Sequence, residues 1–144
     1  MNSNNGSNNF DVSFGDISYL GNRILLNHRN ISNIRRTHDI LFTINRINQR
    51  DTLKIVCLRE YIMGLDKVLE VLSTFREVGQ DVNIIYIGGG WNKYTSEAKS
   101  YCINNQIGLF VTDEMTGALF ANQYWNHHKR DKDGNPIYFG GTPL

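Results

Sequence analysis

Residues 65–111 read LDKVLEVLSTFREVGQDVNIIYIGGGWNKYTSEAKSYCINNQIGLFV, and the order of patterns in this stretch decides the fold class. Leu65, Val68, Leu69, Leu72 and Phe75 recur at intervals of three and four, which predicts a helix with one apolar stripe, bracketed by Gly64 and Gly79. Val82–Ile87 is apolar without alternation, as expected of a strand covered on both faces, and Gly88, Gly89 and Gly90 end it. Thr95 or Ser96 is placed to cap a further helix to about Asn104, with Ala98, Tyr101 and Cys102 inward, and Ile107–Val111 reads as a second buried strand. Helix, strand, helix, strand is the signature of parallel crossovers.

Working outward, Thr112 is expected to cap a last helix to about Asn122. Upstream, His38–Ile47 and Thr52–Leu58 are rich in β-formers, and the polar turn between them predicts an antiparallel pair. Asp16–His28 carries a Gly-Asn pair between apolar residues and reads as another hairpin of two short strands. The expected fold is therefore α/β, a mixed β-sheet flanked by helices. The polar start, residues 1–12, is expected to be a disordered tail, residues 13–122 the domain, and residues 123–144 a loosely attached extension with a short strand after its Asp-Gly turn.

Composition narrows the function classes. Fifteen Lys and Arg against fourteen Asp and Glu give a formal net charge of +1, so a polyanionic partner would have to be met by a local patch. No apolar run suits a membrane span, and no leader pattern opens the chain. Cys57 and Cys102 lie far apart inside apolar segments and read as buried, reduced core residues, so an intracellular location, cytoplasmic or nuclear, is expected. His127 and His128 are adjacent, with no other ligands near in sequence, and zinc is not expected.

Several motifs resemble one family. HDILFTI (38–44) has an aspartate opening a strand, LKIVCLRE (53–60) is a strand running into a loop, and WNKYTSEAKSYC (91–102) followed by IGLFV (107–111) is a helix leading into a strand. From His38 to about Phe120, a little over half of the chain, this resembles the core of the Mrr-type restriction-endonuclease-like family. The resemblance implies a nuclease site in which a strand-borne Asp and an acid on the next strand hold Mg²⁺, while a lysine two residues after that acid stabilises charge. Asp39 matches the first position, and Cys57 and Arg59 stand where the acid and the lysine would be. A thiol suits Mg²⁺ poorly, and a guanidinium binds phosphate as a fork without giving up a proton. Glu60, Glu70 and Lys67 are the nearby groups of suitable chemistry to take over a missing role.

The resemblance thus implies DNA as partner and Mg²⁺ as cofactor of an endonuclease, or of its decayed descendant, with Asp39 as metal ligand. A homodimer covering exposed sheet is a further expectation. A second reading keeps the fold as a non-catalytic nucleic-acid or protein interaction module, using Arg35, Arg36, Trp91 and Tyr94. A third gives the Gly88–Gly90 strand end to a nucleotide, without a phosphate-loop spacing to support it. His127, His128, Lys129 and Arg130 form a second basic cluster, diluted by Asp131 and Asp133.

Overall fold

The computed structural model describes residues 10, 12–89, 93–130 and 132–134. The expectations for the tail, for Trp91 and for the strand after the Asp-Gly turn lie outside the described residues, the tail's Phe10 and Val12 excepted.

The chain enters through helix α1 (Phe14–Ser18), which runs on into a π-helical stretch (Tyr19–Leu25) closed by the Leu26 amide donating to the Gly21 carbonyl. This corrects the expected N-terminal hairpin. Ser13 caps the helix by accepting from the Asp16 amide at 3.1 Å, and Ile17, Leu20 and Ile24 are buried at helical spacing. Gly21 makes no turn; a Cβ there would stand 3.1 Å from the Phe42 ring, so glycine lets the helix approach the sheet.

Five strands form the main sheet among the described residues, in the order β1 (Ile31–Thr37), β2 (Leu41–Arg46), β3 (Thr52–Leu58), β5 (Ile84–Ile87) and β7 (Gly108–Val111). Strand β1 was not foreseen. It is the outer partner of β2 (Ile34↔Ile44, Arg36↔Phe42), and its mostly exposed residues lack an alternating apolar pattern. The β2–β3 pair is antiparallel as expected, with Leu41 opposite Val56. Cys57 then pairs with Tyr86 and Tyr86 with Phe110 in parallel ladders, so the sheet changes sense at β3. A small parallel pair, β4 (Ile62–Met63) with β6 (Lys93–Tyr94), lies beside it.

Helices α2 (Leu65–Arg76) and α3 (Ser96–Asn104) supply the crossovers, and α4 (Thr112–Ala118) follows β7. Val68, Val71, Leu72 and Phe75 form the buried face of α2, while Leu69 stays exposed, a rotation of the expected stripe by part of a turn. Thr95 caps α3 as expected, accepting from the Ala98 amide at 3.1 Å. Thr112 does not cap α4; its hydroxyl pairs with that of Tyr86 at 2.9 Å. Lys54 reaches Gln80 beyond the end of α2, whereas Cys57, on the other face by strand alternation, meets α1. The sheet is thus sandwiched, α2 on one face and the N-terminal helix on the other, with α4 tied to the segment after that helix by His28 Nε2 against the Thr116 carbonyl at 2.9 Å.

The extension begins packed rather than loose. A 3-10 turn (Tyr124–Asn126) buries Tyr124 in the core, and His128 is buried beside it in sequence. Among the described residues no helix is long and apolar enough to cross a membrane.

Candidate functional site

At the end of the sheet where β3 and β5 finish, three of the expected residues stand together. The Cys57 amide donates to the Ile40 carbonyl at 2.8 Å, which sets the turn holding Asp39 beside the end of β3. Within that turn His38 and Asp39 both take positive φ, 50° and 61°, and the Ile40 amide returns to the His38 carbonyl. Non-glycine residues in this region cost about 1–2 kcal/mol each. Arg36 holds the turn from β1, its Nη1 donating to the Asp39 carbonyl at 2.9 Å and to Oδ1 at 3.0 Å.

Cys57, near the end of β3, and Arg59, one residue past it, both meet Asp16 of α1. Arg59 Nη1 is 3.0 Å from Asp16 Oδ1, and Cys57 Sγ is 3.6 Å from the Asp16 carbonyl. Asp16 is the site residue that sequence reasoning missed. The signal for it was present in Ser13-x-x-Asp16, a helix-start pattern in which the Ser13 hydroxyl also donates to Asp16 Oδ2 at 2.8 Å. The edge thus carries two arginine–carboxylate pairs, Arg36–Asp39 and Arg59–Asp16, around a buried thiol.

Burial, with the nearby Asp16 charge adding to it, pushes the Cys57 thiol up to about 12. Burial likewise lifts the Tyr86 hydroxyl, its partner on β5, to about 12. Cys57 is therefore a neutral thiol at physiological pH, neither a nucleophile nor a ligand for a hard cation. The two carboxylates already face guanidinium groups. This donor set does not suit Mg²⁺, which asks for free oxygen ligands in near-octahedral order. The groups considered as substitutes are engaged with each other: Lys67 Nζ lies 4.0 Å from Glu60 and 3.3 Å from Glu70.

Both thiols are shielded, since burial also raises Cys102 to about 12. In a timed reaction with an aromatic disulfide reagent at pH 8, the native protein should present almost no fast thiol and the denatured protein two. Equal rates in the two states would contradict the burial of Cys57.

The residues expected to touch nucleic acid divide. Arg35 and Arg36 are exposed on β1, the open edge of the sheet. Tyr94 corrects its assignment: it is fully buried and its hydroxyl donates to Glu114 at 2.7 Å, so the ring closes the core and offers no face to a base. Trp91 lies outside the described residues. In the second basic cluster His128 is buried, Lys129 pairs with Asp113 at 3.2 Å and Arg130 reaches the Gly134 carbonyl at 3.0 Å. Gly88 spends its amide on the Leu58 carbonyl at 2.8 Å, continuing the β3–β5 ladder, so this N–H is not free to receive a phosphate.

Fold and site together define a mixed α/β domain with an arginine-bearing open edge and a paired-charge cluster at the strand ends. Compared with known proteins, the chain matches no family model, no curated protein and no solved structure.

Proposed function

We propose that this chain is a divergent Mrr-type restriction-endonuclease-like domain that binds the phosphate backbone of DNA without hydrolysing it. The observation that carries the reading is the gathering of Asp39, Cys57 and Arg59 at one sheet edge beneath an N-terminal helix, within the order helix, three antiparallel strands, helix, strand, helix, strand. The order of elements and the turn that sets Asp39 beside the end of β3 support the resemblance, while the arginine pairing of both carboxylates favours a binding role.

Charge distribution supports the partner. Residues 17–50 contain six arginines and a single acid, Asp39, although the whole chain is nearly neutral. Of the six only Arg46 is buried; Arg35 and Arg36 are exposed on β1, Arg29 just before it, Arg50 in the turn after β2 and Arg23 in the π-helical stretch. Arg35 and Arg36 stand on the open edge strand, with Arg29 just before its start, and a seven-residue strand spans roughly 20 Å, long enough to meet several successive phosphates. Guanidinium groups suit phosphate oxygens by geometry as well as charge.

The test combines binding and cleavage on the same protein. Anisotropy with duplex DNA should show affinity that falls steeply with salt, and Arg35→Ala should lower the salt slope by about one. Plasmid incubated with Mg²⁺ and then Mn²⁺ should stay intact. Metal-dependent nicking that disappears in Asp39→Ala would replace the binding role by an endonuclease in which Asp16 supplies the missing carboxylate. Absence of salt-dependent binding would sink the nucleic-acid reading.

A further inference from the structure

At the opposite end of the sheet, before β5 and β7 begin, an open cleft of about 290 Å³ lies between the C-terminal ends of α2 and α3 and the Tyr124–Asn126 turn. Half-buried Trp125 packs edge-on to Tyr124, ring centroids 5.0 Å apart at 86°. Arg76, Asp81 and Gln106 line the same space, exposed, and among the described residues their side chains have no hydrogen-bonded or ionic partner. Gln106 is held there with a positive φ of 59°. Gln80 has its oxygen fixed by Lys54 Nζ at 2.6 Å, which orients the carboxamide and leaves its NH₂ group to donate.

A cation and an anion lining one cleft without bridging each other ask for a ligand carrying both complementary charges. A polyanion would be repelled by Asp81, and a simple cation by Arg76. The carbonyl ends of α2 and α3 add partial negative charge, which favours a ligand ammonium on the Asp81 side. A guanidinium is the best side chain for a carboxylate, and an indole presents apolar area to an aliphatic or aromatic group. The volume falls at the lower limit of small-molecule sites. We propose that this cleft binds a zwitterionic α-amino acid with an apolar side chain, its carboxylate on Arg76, its ammonium on Asp81 and its side chain against Trp125. The site is separate from the DNA-binding edge and does not depend on it.

The experiment follows the indole N–H signal of Trp125 by NMR in the full chain, assigned by comparison with Trp91→Phe, during titration with L-phenylalanine. A saturable shift of Trp125 is expected. L-Phenylalaninamide, which lacks the carboxylate charge, and N-acetyl-L-phenylalanine, which lacks the ammonium, should each bind about tenfold more weakly. In Arg76→Gln, phenylalanine and its amide should bind alike; in Asp81→Asn, phenylalanine and its N-acetyl form should bind alike. Both substitutions are at exposed positions, and an unchanged amide spectrum elsewhere verifies folding. A Trp125 signal that stays still through millimolar phenylalanine, or blocked analogues that bind as well as the zwitterion, would overturn the proposal.

Discussion

Replacing Arg46 by alanine is expected to lower the unfolding free energy by about 3–5 kcal/mol, a large part of the roughly 5–15 kcal/mol of an ordinary domain. Its side chain is 1 % exposed, and each of its three nitrogens donates a hydrogen bond. Nε and Nη2 form a two-pronged contact with Asp51 at 2.9 and 2.8 Å, while Nη1 reaches the Ala121 carbonyl at 2.6 Å and the Leu119 carbonyl at 3.4 Å. The guanidinium also stacks over Tyr124, 5.4 Å from the ring centre. Alanine would leave Asp51 without its cation and the Ala121 carbonyl without this donor, on top of an empty volume under Tyr124, whereas the Leu119 carbonyl keeps Asn30 Nδ2 at 2.9 Å. Lysine keeps the charge but not the fork, so Arg46→Lys should fall between the two. Urea midpoints followed by circular dichroism measure this; a loss below about 1 kcal/mol for Arg46→Ala would show that the network is dispensable.

The second large effect is a pH dependence centred on Lys99. This ammonium is fully buried in α3, donating to the Leu109 carbonyl at 2.6 Å and the His127 carbonyl at 3.0 Å, over the rings of Phe110 and Tyr94 and 4.0 Å from Glu114. Burial lowers its pKa from 10.5 to about 8, the Glu114 charge opposing the fall. Because the folded pKa lies below the unfolded one, the unfolded chain holds more protons between pH 8 and 10.5. Stability must therefore rise with pH across that window, the penalty being fully present below the folded value and gone above the unfolded one. Cys57, Cys102 and Tyr86 act in the reverse direction above their unfolded values, since their folded pKa values are raised. The informative quantity is the difference between the native protein and Lys99→Met, measured by denaturant titration from pH 7 to 10. The native protein should gain on the variant by a few kcal/mol over that range. A flat difference would mean that Lys99 reaches solvent in the native state.

Where residues announce structure by local pattern, the sequence reading and the fold agree. Strands β3, β5 and β7 are short apolar runs, and α2 and α3 have three-and-four spacing and, for α3, a threonine cap. Cys57 and Arg59 meet the same residue, Asp16, as a spacing of two at a strand end suggests. The N-terminal helix was misread because Gly21-Asn22 carries turn chemistry, while the competing signal, Ile17, Leu20 and Ile24 at intervals of three and four, was equally present. What decided between them was a contact distant in sequence, the Phe42 ring lying against Gly21. Strand β1 escaped notice for a related reason: an edge strand with only Ile31 and Ile34 half-buried has no periodicity to read. Tyr94 and Lys99 were beyond local reasoning altogether, since their burial depends on Glu114 and on residues 127–129 arriving from the far end of the chain. The pairing of Arg59 with Asp16, 43 positions apart, is of the same kind.

That dependence sets an order on synthesis. Lys99 needs the His127 carbonyl, Arg46 needs that of Ala121, and Glu114 accepts from the Lys129 amide at 3.0 Å as well as from Tyr94. A nascent chain whose last emerged residue is Val111 has all five strands of the main sheet, but Lys99 and Arg46 each still lack a carbonyl partner, that of His127 and that of Ala121. Until residues 121–129 arrive those donors lack these partners, so the sheet gains its full set of interior contacts only after its last strand has been made.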